Sequence, residues 1–422
     1  MTPRVYLRTF GCRANQYDSE AVRALVESSG GVVVDSVEQA TVAVFNSCAV
    51  TAAAESELRR SIRHAARANA NIESVVMGCA AARDTGVIMA LPSVAHVIPG
   101  ADMPAIAAAL GVLTRTASPS HQSGTRALLR VQDGCDEHCT FCATTLARGA
   151  NRSRSISELV HEATALAERH PEIVLTGIHI GTYGTDVGTT LGALVERLVR
   201  EVPVVRFRLS SLEATEVDER LLELFDEPSR LAPHLHAPLQ SGSDRVLKRM
   251  GRHWYSAASY TRAVQRIVEH RPVFALGADV IAGFPGETPD DHRATRALIE
   301  ELPFTYLHVF PYSLRPGTAA ERLPGHIPAG LVRQRAAELR IVADAKHQAH
   351  AARRAGDVAD VIVVRGDVRE GLTEDYLEVR LHGSPLPRGH RVAARLSVVD
   401  GHLVATPLSP NPVLTSCESR NA

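Results

Sequence analysis

Apolar positions keep one rhythm over most of the chain and a different one near its end. Up to about residue 112, short apolar runs alternate with stretches of 3.6-residue periodicity. Val5 to Phe10, Val42 to Asn46 and Ser74 to Met77 read as strands, and Ser19 to Ser28, Ala52 to Ala68 and Met103 to Leu110 as helices. That order predicts a small α/β unit with a parallel sheet. Thr114 to Thr125 is a Ser/Thr/Pro-containing linker. Six further strand candidates follow: Ala127–Val131, Glu172–Thr176, Val204–Leu209, His234–Ala237, Ala275–Ile281 and Thr305–Phe310. Helical patterns such as Ser157–Glu168, Leu191–Glu201 and Tyr255–His270 separate them. Six βα units fall short of the eight that close a full barrel, so the expectation is an open, partial one. A long polar helix runs from Leu331 to about Ala355. Beyond Asp357 the period changes to two, and Val361–Arg365, Tyr376–Leu381, Arg391–Val399 and Leu403–Pro407 predict a small β-barrel of roughly 55–60 residues. The expected class is therefore α/β in three parts, bounded at 1–112, 121–351 and 353–415.

The cysteines add chemistry to this outline. Directly after the first strand of the middle part stands Gly134-Cys135-Asp136-Glu137-His138-Cys139-Thr140-Phe141-Cys142, three thiols at Cys-x3-Cys-x2-Cys spacing. Three such thiols can hold three irons of a cubane that normally takes four thiolates, which leaves one iron open for another ligand. A zinc knuckle or a disulfide pair is the plainer alternative, but zinc sites usually show two paired steps and four ligands. Cys12, Cys48 and Cys79 each follow a predicted strand of the first part. Ligand sites of open α/β sheets lie at the carboxyl ends of strands, so these thiols could converge across dozens of residues. Three unrelated buried cysteines are the alternative. Cys417 lies in a tail and is assigned no role.

Composition narrows the class without deciding it. With 422 residues, 45% hydrophobic and 22% charged, the chain reads as a soluble protein of two or three domains. Its formal net charge is −1, so any nucleic-acid contact must rest on local patches. Of 46 basic residues all but Lys248 and Lys346 are arginines, for which codon bias is the bland explanation. No signal peptide or apolar span of roughly 20 residues is present. Seven cysteines without short even spacing suit a reducing compartment, so the expectation is a cytoplasmic protein with no membrane association.

Several phrases together resemble the methylthiotransferase family of radical S-adenosylmethionine (SAM) enzymes. They are Thr9-Phe10-Gly11-Cys12-Arg13-Ala14-Asn15-Gln16-Tyr17-Asp18-Ser19-Glu20, Asn46-Ser47-Cys48-Ala49-Val50-Thr51, Gly78-Cys79, and the Cys135–Cys142 loop with Ala147-Arg148-Gly149. Leu175-Thr176-Gly177-Ile178-His179-Ile180-Gly181, Arg208-Leu209-Ser210-Ser211-Leu212-Glu213, Pro238-Leu239-Gln240-Ser241-Gly242-Ser243-Asp244 and Asp279-Val280-Ile281-Ala282-Gly283-Phe284-Pro285-Gly286-Glu287 continue the series. The resemblance covers nearly the whole chain. The phrases after Cys12 and Cys48 are most similar to the branch that turns N6-threonylcarbamoyladenosine at position 37 of tRNA into its 2-methylthio derivative. Ser47 stands where threonine is usual, and Ala143-Thr144-Thr145 lacks a proline often found there; both departures weaken the branch assignment. Other branches act on isopentenyladenosine or on a ribosomal-protein aspartate, and a non-catalytic iron–sulfur RNA-binding protein is the remote alternative.

The resemblance implies two 4Fe-4S clusters and SAM. Cys135, Cys139 and Cys142 would ligate the radical-generating cluster, with the amino and carboxylate groups of SAM on its open iron. Cys12, Cys48 and Cys79 would ligate an auxiliary cluster whose free iron carries the sulfur. One SAM would methylate that sulfur; a second would yield the 5′-deoxyadenosyl radical that takes hydrogen from an adenine carbon. Arg148, Thr176, Gly177, Ser211, Glu213, Gln240, Ser241 and Gly283 are the candidate SAM contacts, Arg148 toward its carboxylate. His179 and His236 are possible proton carriers, with satisfied core histidines the commoner case, and no catalytic side chain is assigned. The implied partners are the anticodon loop of tRNA and a low-potential electron donor such as flavodoxin or ferredoxin. The terminal barrel would be an OB-like RNA-binding TRAM domain, with Tyr376, Arg365, Arg380, Arg388, Arg391 and Arg395 on the RNA backbone.

Overall fold

In this computed structural model the described residues are 3–48, 52–84, 86–113, 121–202, 204–227 and 230–408. Five parallel strands form the first sheet: β1 (Arg4–Thr9), β2 (Val32–Val34), β3 (Val42–Ser47), β4 (Glu73–Gly78) and β5 (Val94–Pro99), in the order β2-β1-β3-β4-β5. Helices α1 (Arg13–Ser28), α2 (Ala52–Ala68) and α3 (Met103–Leu110) cover it. The edge strands β2 and β5 escape the pattern reading: β2 is only three residues long, and β5 is largely unburied, so neither shows a clean run. The first helix begins at Arg13, six residues before the expected start. Its first turns look polar, yet Ala14, Asn15, Tyr17 and Asp18 face inward. Val50, Thr51 and Cys417 lie outside the described residues.

The middle part carries six parallel strands. They are β6 (Ala127–Arg130), followed by the short ribbon β7 (Gln132–Asp133) with β8 (Arg152–Ser153), then β9 (Glu172–Thr176), β10 (Arg206–Leu209), β11 (His234–His236), β12 (Ala275–Ala282) and β13 (Tyr306–Pro311). Ladders run β6-β9-β10 and β11-β12-β13, and single parallel bridges at Phe207–Leu231 and Ser211–His236 join the halves. Among the described residues no ladder joins β13 to β6, so the barrel stays open on one side. Helices α4 (Thr144–Arg148), α5 (Ile156–Ala167), α6 (Leu191–Glu201), α7 (Glu219–Phe225), α8 (Asp244–Arg249), α9 (Ala257–Val268) and α10 (Pro289–Glu301) lie between the strands. The long helix α11 (Ala329–Arg353) follows. Leu129, Ile173, Leu175, Phe207, Leu235 and Leu276 turn outward into the helix-packed core. Alternate residues turn inward and are polar, among them Glu172, Arg206, Arg208, His234 and His236.

A closed barrel of β14 (Val358–Arg365), β15 (Glu370–Leu372), β16 (Glu378–Leu381), β17 (Arg391–Val399) and β18 (His402–Pro407) completes the chain, in the order β14-β15-β16-β18-β17. Tyr376 is not the strand residue expected; it sits in the turn before β16 at φ +68°. That backbone conformation is costly for a bulky side chain. The barrel docks under the open strands. Glu172, fully buried, takes both Arg206 and Arg208 at 2.7–2.9 Å, and Arg206 also reaches Asp360 of β14 at 2.9 Å. Among the described residues no helix is long and apolar enough to cross a membrane.

Candidate functional site

Three of the first sheet's neighbouring strands deliver Cys12, Cys48 and Cys79. β1, β3 and β4 lie side by side in register, with Ser47 opposite Gly78, and each thiol follows its strand within a few residues. Gly11, at φ +102°, is why Cys48 can lie against the Cys12 turn: a Cβ there would sit 2.7 Å from the Cys48 sulfur. Asn15 organises the group. Its amide nitrogen donates to the carbonyls of Phe10 and Ser47 at 2.9 and 2.8 Å, tying two of the strand ends together. Its Oδ1 lies 3.8 Å from the sulfur of Cys12 and 3.9 Å from that of Cys79. Burial pushes the Cys79 thiol up, and the neighbouring Arg148 guanidinium opposes the shift.

The second trio occupies the loop between β7 and α4. Cys135 N–H donates to the Gly149 carbonyl and Cys142 N–H to that of Cys139, both at 3.0 Å, which folds the loop back on itself. Each sulfur meets a polar partner. That of Cys135 lies 3.8 Å from His179 Nδ1, and His179 Nε2 meets Glu216 at 2.9 Å. Arg252 Nη1 approaches the Cys139 sulfur at 3.5 Å, while its Nη2 bonds Glu213 and its Nε donates to Tyr255 at 2.9 Å. The Cys142 sulfur accepts from Thr144 N–H at 3.3 Å. Burial pushes the Cys139 thiol up to about 12, against the pull of Arg252. His179 is raised as well, for a different reason: burial would lower it, but Cys135 and Glu216 hold it at about 10.

One guanidinium interacts with a thiol of each trio. Arg315, in the loop after β13, is held at the Phe141 carbonyl at 3.5 Å, and its charge is felt by both Cys142 and Cys48. Burial lowers its affinity for its proton, and among the described residues its Nε has no hydrogen-bond partner.

The expected SAM contacts separate into groups. Glu213 is buried beside Arg252 near the second trio, and its Oε2 is an unpartnered buried acceptor. Thr176 and Gly177 end β9; the Thr176 carbonyl accepts from Val131 at 2.9 Å, and a Cβ on Gly177 would press on Gln132. Ser211 is exposed on the bridge to His236. Gln240 adopts φ +60° and pairs its backbone with β12. Ser241 is turned away into bonds with Thr295 and Ser243 N–H. Gly283 donates to Glu287 at 2.9 Å and packs against Val332 of α11. Arg148 stands apart from all of these. Its guanidinium takes Asp18 and Asn15 at 2.7 Å and Asp133 at 3.2 Å, beside Cys79. His179 and His236 are both satisfied, by Glu216 and by Asp279 at 3.0 Å. Asn15, Arg252 and Arg315 escaped the sequence reading; only the polar character of Asn15 within the Cys12 phrase hinted at a role.

Residues 4–100 match an uncharacterized protein family, UPF0004, and residues 129–299 match the radical SAM superfamily. The threonylcarbamoyladenosine tRNA methylthiotransferase MtaB of Aquifex aeolicus is 32% identical over 90% of this chain and 97% of its own length. That of Rickettsia prowazekii is 35% identical over 88% and 90%. The tRNA-2-methylthio-N(6)-dimethylallyladenosine synthase of Sorangium cellulosum is 33% identical over 87% and 83%. The chain belongs to the methylthiotransferase family. Among solved structures it is similar in fold to the radical SAM methyltransferase TsrM of Kitasatospora setae, with a TM-score of 0.57 at 15% identity over 75% of each chain. A methylthiotransferase of this superfamily works with a 4Fe-4S cluster and SAM. The donors present suit both: three thiols carried on one folded loop match thiolate ligation, and Glu213 Oε2, without a hydrogen-bond partner among the described residues, is a free acceptor.

Proposed function

We propose that this methylthiotransferase converts N6-threonylcarbamoyladenosine at position 37 of tRNA to its 2-methylthio derivative. The observation that carries the reading is the pair of thiol trios, one thiol of each of which, Cys142 and Cys48, interacts electrostatically with Arg315. Cys135, Cys139 and Cys142 hold the cluster on which SAM is cleaved. Cys12, Cys48 and Cys79 hold an auxiliary 4Fe-4S cluster. When bound, the first cluster with SAM would supply radical chemistry and the second would supply the sulfur. The protein's own share is placement. Asn15 and Gly11 fix the strand ends that carry one trio; His179 lies against one sulfur of the other, and Arg252 places positive charge against a second. Glu213 offers its free oxygen to a hydroxyl or ammonium of SAM, with Thr176, Gly177, Ser211 and Gln240 forming the surrounding strand ends. Arg315 interacts with one thiol of each trio.

The C-terminal barrel, read as a TRAM domain, grips the tRNA backbone, and a cytoplasmic flavodoxin or ferredoxin delivers the electrons. The test is nucleoside mass spectrometry. Reconstituted protein with SAM, reductant and threonylcarbamoyladenosine tRNA should give the methylthio nucleoside and 5′-deoxyadenosine. A product only on isopentenyladenosine tRNA, or on a ribosomal protein, would overturn the substrate assignment. Iron near four rather than about eight per chain would overturn the second cluster.

A further inference from the structure

Charge pairing around the barrel opening is nearly complete. Arg126, Arg206 and Arg208 face Glu172; Arg130 and Arg148 face Asp18; Arg252 faces Glu213. Arg315 interacts with a thiol of each trio, Cys142 and Cys48. Arg13 is different. It directly follows Cys12, is only partly buried, and among the described residues no carboxylate lies within ion-pair distance of it. Its one side-chain hydrogen bond runs from Nη2 to the phenol oxygen of Tyr376 at 3.1 Å. Tyr376 is the residue held at φ +68°, and its ring lies 4.6 Å from that of His234 and 5.6 Å from that of Tyr306, inside the open barrel. All three parts of the chain thus meet at one guanidinium, and a strained backbone presents the group that aims it. Arg13 also lines a cavity of about 450 Å³, shared with Thr9, Gln16, Arg126, Val174 and Glu20, whose carboxylate is taken by Ser123 and Arg23.

Adenine chemistry says what belongs there. The reacting carbon C2 must face the radical source and the sulfur. C6 lies across N1 from it in the same ring, so a substituent on N6 leaves in another direction from C2. A threonylcarbamoyl substituent ends in a carboxylate; an isopentenyl substituent carries no charge. We propose that Arg13, aimed by Tyr376, is the carboxylate receptor that selects the threonylcarbamoyl substrate. This rests on the substrate reading above and adds to it the residue that makes the choice. A guanidinium offers a two-pronged fork that matches a carboxylate, and charged hydrogen bonds of this kind correspond to about 10- to 100-fold in affinity.

The experiment compares three anticodon stem-loops on the reconstituted holoenzyme. One bears threonylcarbamoyladenosine, one its neutral methyl ester and one isopentenyladenosine. Wild-type protein should bind the acid about 10- to 100-fold more tightly than the ester. Arg13→Gln should lower the acid to the ester's affinity without changing the ester, and Arg13→Lys should recover part of the preference. Tyr376→Phe, which frees the guanidinium, should narrow the acid-to-ester ratio without abolishing it. A wild-type ratio retained in Arg13→Gln overturns the proposal while leaving the function intact. Failure of the wild type to modify the acid-bearing loop overturns the substrate reading and the proposal with it. If Arg13→Gln loses its iron, Arg13→Lys and Tyr376→Phe carry the same comparison, and an unchanged ratio in both overturns the assignment.

Discussion

Replacing Arg148 with methionine keeps an unbranched apolar stem, shortens the side chain and removes its charge where two carboxylates and an amide oxygen converge. The Asp18 carboxyl, 1% exposed, would keep only Arg130, whose side chain is 22% exposed. Asp133, also 22% exposed, can turn toward water. Removing one partner of a buried pair costs about 3–5 kcal/mol; because Arg130 remains, the lower end applies. In a unit of 150–250 residues each kcal/mol moves the melting temperature by about 2–4 °C. Metal-free Arg148→Met should therefore melt about 6–12 °C below the wild type in calorimetry, and Asp18→Asn should fall in the same direction. SAM affinity, by equilibrium dialysis on reconstituted protein, should change less than about twofold, because Arg148 belongs to the Cys79 side and not to the Glu213 side. A variant that melts like the wild type but binds SAM tenfold more weakly would refute this and make Arg148 a SAM-carboxylate partner after all.

Glu172→Gln leaves Arg206 and Arg208 buried without their shared carboxylate, so a loss of about 3–5 kcal/mol is expected by urea denaturation. Because Arg206 also holds Asp360, limited proteolysis between α11 and β14 should quicken; unchanged cleavage would argue against that docking role. His234 is kept neutral chiefly by burial, with Arg208 and Arg13 adding to the effect. The unfolded chain gains a proton there below about pH 6.5 and the folded one does not, so acidification favours unfolding. Between pH 7 and 5 His234 should account for roughly 2 kcal/mol of lost stability, and His234→Asn should lack that slope. Gly134→Ala would place a Cβ 1.8 Å from the Ala150 carbonyl oxygen at φ +75°, distorting the Cys135 loop. Its reconstituted iron content should drop from about eight to about four per chain.

Much of this architecture was legible because it rests on local pattern. β3 and β4 are nearly continuous buried runs, and the thiols after them could be placed at strand ends from sequence alone. The Cys135–Cys142 spacing points to a cluster loop within eight residues. What stayed hidden depends on long-range pairing. Arg252 lies 113 residues from Cys139, and no spacing rule connects them. Arg148 follows the core cysteines closely, which suggested SAM, yet its partner Asp18 is 130 residues earlier. α1 begins early because Asp18, a polar residue by type, is buried against two arginines. An apolar-periodicity argument cannot see a helix face whose inward residues are charged and paired.

The same pairing explains how the three parts keep their spacing. In the proposed reaction the base would have to meet two centres at once, and small misplacements are costly. An apolar interface holds parts together without specifying direction. Here the contacts across the parts are directional: Asp18 of the first part takes Arg130 and Arg148 of the second. Tyr17 joins Glu162 at 3.0 Å with Arg154 beside it. Arg206 of the second part takes Asp360 of the third. Buried pairs of this kind add little net stability compared with a well-packed apolar interface, so stability alone does not account for three of them. Fixed hydrogen-bond geometry does, because a guanidinium fork loses its bonds when its partner slides. Breaking any one of these contacts should therefore uncouple SAM cleavage from product formation before it unfolds the protein, whereas a purely stabilising contact would lower both together.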